Sequence, residues 1–439
     1  MPYLLNLFYI ALVLVASPWL AYQAVRKGKY RTGLAEKFFG RVPRRAGSRP
    51  CLWLHAVSVG EVNLLAPLLA EIRRRRPDWE CVVSATSLAG FTLAKKKYSD
   101  LTVFYCPLDF SWATRAAMRR IRPACLVLAE LELWPNLIRA ARSSGARVAV
   151  INGRLSERSF RRYSRVRPLV RTVLARIDLV AAQNSEYADR FRALGALDEA
   201  VCVTGSIKFD GAQTDRANPA TTALRRTAGI ADDDLVFLAG STQQPEESLA
   251  LAAYLKLLKR HPRLRLVIVP RHPERFDEVA SLLTSAGVPF QRRSRLAIER
   301  ARADARVLLV DTVGELGAWW GTAAVAFVGG SLSPRGGQNM IEPAAYGAAV
   351  SFGPNTRNFR DIVAQLLSAE AAIVVNNGDE LTAFVARCLD DPAYATALGR
   401  RAQALVASQL GATAKTFSRL AQLIEPTAQP AARENRSAA

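Results

Sequence analysis

Histidine is nearly missing from this chain, with three in 439 residues. The six cysteines, Cys51, Cys81, Cys106, Cys125, Cys202 and Cys388, never form a CxxC pair. A metal centre built from His and Cys needs several such ligands at short spacing, so none is expected. Most of the cysteines lie in strand-like apolar runs and read as small core residues of a reducing compartment. Neither a GxxxxGK[ST] nor a GxGxxG fingerprint is present, which argues against P-loop and dinucleotide-binding chemistry. Repeats of solenoid length are also missing. So are aromatics interleaved with Lys/Arg and RRM-like strands, and no nucleic-acid partner is expected.

What the chain has in excess is positive charge, +22 in total. Residues 1–212 hold 34 Lys/Arg against 16 Asp/Glu, so the first half carries nearly all of it. Such a bias favours an anionic partner, nucleic acid or a phosphate-bearing membrane surface. The stretch Leu4 to Val25, "LLNLFYIALVLVASPWLAYQAV", decides for the membrane: it has no charged residue, and as a helix it covers ~33 Å, the thickness of a hydrocarbon core. A positive leader and a small-residue cleavage site are missing, so it reads as an anchor rather than a cleaved signal. Arg26, Lys27, Lys29, Arg31 and Lys37 follow at once. By the positive-inside rule a single-pass anchor with the bulk of the protein on the cytoplasmic side is expected, which in a cell with two membranes means the inner one.

Half of the residues are hydrophobic, and 439 residues exceed what one core normally serves, so two domains are expected. Strand-length apolar runs alternate with helical patterns: "CLWLHAV", "CVVSAT", "TVFYC", "CLVLAE", "RVAVIN" and "DLVAAQ" before Gly211, and "LVFLAGS", "LRLVIVP", "RVLLVD", "AAVAFVGG", "AAVSFG" and "AAIVV" after Asp234. Such alternation predicts two doubly wound, Rossmann-like α/β domains. The boundaries read as an anchor over 1–27, a first domain over 28–212, a second over 213–425 and a disordered tail over 426–439. The polar stretch Gly211 to Asp234 reads as the interdomain linker. Two such domains facing a cleft suit a nucleotide-linked donor on one side and an acceptor on the other.

Ligands of such sheets gather beyond the carboxyl ends of the strands, so the turns there carry the functional signal. In "HAVSVGE" Gly60 is expected to make the turn tight and Glu61 to enter the first helical turn, where the helix dipole keeps a carboxylate ionised. An ionised carboxylate in a cleft can act as a general base, although dipole complementation alone also accounts for acids at helix starts. "ELELWPN" sets Glu130 and Glu132 directly after a buried strand, either as capping and dipole partners or to stabilise positive charge on a sugar ring. Lys208 in "GSIKFD" and Arg271 with His272 in "PRHPER" offer cations and hydrogen bonds to phosphate. "DTVGELG" repeats the plan with Glu315. In "FVGGSLSPRGGQNMIEPAAYG" two glycine pairs bracket a turn whose N–H groups can approach an anion, with Asn339 and Glu342 on the helix that follows.

Together and in this order these segments resemble the 3-deoxy-D-manno-oct-2-ulosonic acid (Kdo) transferases, membrane-associated enzymes that add Kdo to the lipid A precursor. The resemblance covers nearly the whole chain. It implies a GT-B fold, a CMP-Kdo donor, a lipid IVA acceptor, inversion at Kdo C2 and no metal or cofactor requirement. Residue by residue it implies Glu61 as the base, with Glu130 and Lys208 stabilising the transition state. Arg271 and His272, Val313, Gly314 and Glu315, and Asn339, Met340, Ile341 and Glu342 would hold CMP. Gln338 stands where the family has histidine, Leu131 where it has threonine, and "GSTQQPEE" replaces a "GSTHEGEE"-like turn. Another GT-B enzyme using a UDP-sugar, a transferase or an N-acetylglucosamine epimerase, would share the two sheets and the ribose-binding Glu342. A membrane-tethered nucleic-acid binder is the non-enzymatic alternative.

Overall fold

The computed structural model describes residues 2–27 and 32–425. Lys29, Arg31 and the tail 426–439 lie outside the described residues. The chain forms two compact units, one from Met1–Asp210 together with Leu410–Ala439 and the other from Gly211–Gln409.

In the first unit β1 (Cys51–Ala56), β2 (Glu80–Ala85), β3 (Thr102–Tyr105), β4 (Cys125–Ala129), β5 (Arg147–Gly153), β6 (Leu179–Ala182) and β7 (Val201–Val203) form one sheet. Their order is β3-β2-β1-β4-β5-β6-β7, with every pair parallel. The central strands β1 and β4 are buried at every residue, because helices cover both faces. That is why they read as unbroken apolar runs rather than as alternation. The order reverses between β1 and β4, which makes the turns after these two strands the switch point of the sheet.

The second unit repeats the plan with β8 (Leu235–Thr242), β9 (Leu264–Pro270), β10 (Phe290–Arg292), β11 (Val307–Leu309), β12 (Val325–Val328), β13 (Ala349–Phe352) and β14 (Ala372–Val374). Here the order is β10-β11-β9-β8-β12-β13-β14, again all parallel, and the switch point lies between β8 and β12. Twelve of these strands match apolar runs of the sequence. The other two are the edge strands β7, Val-Cys-Val, and β10, Phe-Gln-Arg, which are only partly buried and stand outside those runs.

Three expectations need correction. The helical stretch toward Ile424 does not stay in the second unit: helix Ala412–Ile424 packs on the first, where Phe417 and Leu420 join the core of Leu65, Leu68 and Ile72. Asp210 fastens its start by accepting from the Gly411 and Thr413 N–H groups. The expected linker is also structured. Asn218 caps helix Pro219–Thr227, and the Arg216 guanidinium donates to the Tyr346, Gly321 and Ala323 carbonyls. Thirdly, the N-terminal helix Pro2–Lys27 forms, but among the described residues no helix is long and apolar enough to cross a membrane.

Candidate active site

Glu61 sits in the first turn of helix Val59–Arg75, directly after β1. Ser58 is the N-cap; its Oγ accepts from the Glu61 N–H at 3.3 Å and donates to Glu61 Oε1 at 2.7 Å. The Val57 N–H donates to Oε2 at 2.7 Å. This is a capping box that reaches one residue beyond the cap, and it aims the carboxylate back over the end of β1. Burial pushes the Glu61 carboxyl above its usual range, against the pull of these two donors. Gly60 does not have the role expected of it. It lies inside the helix, and a Cβ there would meet only Ser58 Oγ, at 3.8 Å, so the turn itself does not demand glycine.

The turn after β4 brings Glu130 and Glu132 to the same switch point. Glu130 has φ +59, a left-handed backbone that costs a residue with a side chain ~1–2 kcal/mol. Its surroundings enforce it: the Glu130 N–H donates to the Ile151 carbonyl at 2.9 Å, and Glu130 Oε1 pairs with Lys208 Nζ at 2.7 Å. Asn152, itself at φ +52, ties the arrangement together. Its Nδ2 donates to Glu130 Oε1 at 3.4 Å and its Oδ1 accepts from the Ile207 N–H at 3.0 Å, beside Lys208. Lys208, which follows the edge strand β7, therefore reaches a carboxylate three strands away. Strained backbones that neighbours over-determine concentrate at functional sites.

Glu132 accepts from the Trp134 indole at 2.9 Å. Burial first, then the charges of Glu61 and Glu130, push its carboxyl up to about 7. The Glu132 side chain is not the dipole partner of helix Pro135–Ser143. Asp109 is, its two carboxylate oxygens accepting from the Asn136 and Leu137 N–H groups at 3.1 and 2.8 Å. Glu61, Glu130, Glu132 and Lys208 thus form one group of three carboxylates and one ammonium. Such a group can take a proton and can balance charge on a reacting sugar and phosphate.

The donor candidates of the second unit occupy turns at the carboxyl ends of its strands. Arg271 and His272 follow β9, exposed, with the Arg271 N–H bound to the Thr242 carbonyl at 3.0 Å. Val313, Gly314 and Glu315 follow β11, the neighbour of β9 in the sheet. Val313 is 77% exposed and Gly314 has φ +94. The Glu315 carboxylate is taken up internally by Arg293 Nη2 at 2.8 Å, Thr312 Oγ1 at 2.7 Å and the Trp319 indole at 3.4 Å. It braces this turn from within, while Val313 and Gly314 stay exposed at its tip. Asn339 Nδ2 donates to Glu342 Oε1 at 2.9 Å, while Oε2 lies beside Gly317 of the short helix Leu316–Trp319, 4.0 Å from where its Cβ would be. Burial raises the Glu342 carboxyl. The Met340 and Ile341 side chains point into the core, so these two residues can offer only their backbones.

The first glycine pair departs from its expected role. Glu246, fully buried, accepts from the Gly330 N–H at 2.7 Å, from those of Ser331, Leu332 and Gln243 at 2.9 Å each. The nest of N–H groups after β12 already holds a carboxylate of the protein and has none to spare for a phosphate. Glu247, next in sequence, pairs with Arg275 of "PRHPER". Sequence reasoning missed Asp109, Asn152, Glu246 and Arg293. Of these, only Glu246, an acid at a helix start in "QPEES", left a signal in the sequence.

Comparison with known proteins bears on the same segments. Residues 31–211 match the family model of the 3-deoxy-D-manno-octulosonic-acid transferases. The 3-deoxy-D-manno-octulosonic acid transferase of Haemophilus influenzae is 32% identical over 95% of this chain and 98% of its own length. That of Bordetella pertussis is 34% identical over 92% and 94%. In fold the chain resembles the UDP-GlcNAc 2-epimerase of Neisseria meningitidis, with TM-score 0.56 over 85% of this chain and 100% of that one, at 14% identity. The family relatives span more than nine-tenths of the chain at more than twice that identity, and the chain belongs to the 3-deoxy-D-manno-octulosonic acid transferases, a family of glycosyltransferases.

Proposed function

We propose that the protein transfers Kdo from CMP-Kdo to lipid IVA, with inversion at Kdo C2 and with Glu61 as the base. The observation that carries this reading is the assembly of Glu61, Glu130 and Lys208 at the switch point of one sheet, with Lys208 on Glu130 at 2.7 Å. In the transfer an acceptor hydroxyl gives its proton to a Glu61 oxygen as its own oxygen bonds to C2. The C2–O bond to phosphate breaks, and CMP leaves with the electron pair. A carboxylate raised by burial is a stronger base than an ordinary one, which suits it to a sugar hydroxyl. Lys208 supplies positive charge toward the departing phosphate, and Glu130 holds it in place and balances positive charge on the ring. Arg271, His272, the backbone of Val313 and Gly314, and Asn339 through Glu342 hold CMP in this reading, with Glu315 as a brace.

The N-terminal helix attaches the enzyme to the cytoplasmic face of the inner membrane in the same reading. Its apolar side chains are exposed over most of its length, as a lipid-facing helix requires. The decisive experiment is a transfer assay with CMP-Kdo and lipid IVA, with products counted by mass. Stabilisation by CMP against heat is the second arm. No product, or selective stabilisation by UDP, rejects the assignment in favour of a UDP-sugar enzyme.

A further inference from the structure

The N-terminal helix is built inside out. Asn6 is 7% exposed, while its neighbours Leu4, Leu7 and Phe8 are 71, 65 and 60% exposed. In water that arrangement would waste the apolar surface; in lipid it is the stable one, because an amide in hydrocarbon must find a polar partner. Asn6 finds its partners on the enzyme. Its Nδ2 donates to Ser111 Oγ at 2.7 Å, and its Oδ1 accepts from the Ser111 N–H at 2.9 Å and from Asn136 Nδ2 at 3.4 Å. One turn later Tyr9 donates its hydroxyl to Asp109 Oδ2 at 3.1 Å.

Of these partners Asn136 ends the acidic turn, and Asp109 and Ser111 stand against it from the start of helix Ser111–Ile121. Asn136 also donates to the Asp109 carbonyl at 2.6 Å, and the Asp109 carboxylate takes the Asn136 and Leu137 N–H groups. Asn136 and Leu137 begin helix Pro135–Ser143, directly after Glu130, Glu132 and Trp134. Asn6, Tyr9, Asp109, Ser111 and Asn136 thus form a polar clasp between the membrane-facing helix and the far end of the catalytic turn.

We propose that Asn6 is a positioning residue for the acidic turn: through Ser111, Asn136 and Asp109 the N-terminal helix fixes where Glu130 and Glu132 stand, beyond tethering the enzyme. The inference rests on the transfer reading above. A helix that only tethered would need no buried amide, and leucine at this position would anchor better. Loss of the clasp frees the end of the turn, and a displacement of about 1 Å at a catalytic group is enough to cost one to two orders of magnitude in rate.

The test uses the full chain in detergent micelles with CMP-Kdo and lipid IVA, comparing wild type, Asn6→Leu, Asn136→Ala and the double variant. Asn6→Leu is expected to sediment with membranes like the wild type and to lose about tenfold in kcat, with KM for the lipid within twofold. The double variant is expected to lose little more than either single one, because both cut the same connection. If Asn6→Leu fails to fold, Tyr9→Phe, which removes one hydroxyl, is expected to lower kcat about threefold. Unchanged kcat, a loss confined to KM or to the membrane fraction, or fully additive losses would overturn the proposal. A wild type that transfers no Kdo would instead reject the transfer reading.

Discussion

Glu246 offers the sharpest quantitative test of how the second unit holds the loop after β12. Its carboxylate is the common acceptor of four buried N–H groups, from Gln243, Gly330, Ser331 and Leu332. Each oxygen takes two. Glu246→Gln keeps the shape but turns an NH2 group toward one of those pairs, so two buried donors lose their acceptor. An orphaned buried donor costs ~1–3 kcal/mol, giving ~2–6 kcal/mol in all. Part of this is offset because burial, which raises the Glu246 carboxyl, opposes the charge that glutamine removes. A net loss of about 2–4 kcal/mol remains. For a unit of this size each kcal/mol shifts Tm by ~2–4 °C, so calorimetry on the full chain should show a transition lowered by ~4–16 °C. Stabilisation by CMP should weaken too, because the Gly330 carbonyl accepts from the Gly337 N–H at 2.8 Å in the same loop. A Tm within a degree of wild type would refute the reasoning, since four N–H groups would then have found another acceptor at no cost.

Glu61→Gln is expected to abolish transfer while leaving CMP stabilisation and Tm near wild type; near-normal turnover would remove Glu61 as the base. Glu132 adds a pH signature. Its folded-state carboxyl lies at about 7, above the ordinary value of 4.5, so the native state binds its proton more tightly than the unfolded chain does. The stability it contributes is fully present below about pH 4.5 and is lost as pH rises through 7. Urea unfolding of Glu132→Gln should therefore show a shallower decline from pH 5 to 8 than the wild type, and parallel curves would contradict the shift. Arg293→Met releases Glu315 from its brace and is expected to raise the Kd for CMP about tenfold, a loss of one charged hydrogen bond, measured by calorimetric titration. An unchanged Kd would show that Thr312 and Trp319 suffice.

The sequence alone determined the fold class, because strands buried on both faces of a parallel sheet need unbroken apolar runs, and runs of that kind are visible one by one. It also singled out the turns: a carboxylate just past an apolar run, as at Glu61 or Glu130, is a local pattern. What it left open was every pairing made across the sheet. Lys208 follows the edge strand and meets Glu130 only because β7 and Asn152 bring Ile207 back toward β4. Asn6 reads as a flaw in an apolar helix until Ser111 and Asn136 are beside it. Glu246 reads as an ordinary helix-start acid until the β12 loop folds onto it. Periodicity encodes which face of an element is buried, a property of neighbours in the chain. Which charge meets which depends on strand order and register, and only the tertiary structure decided those.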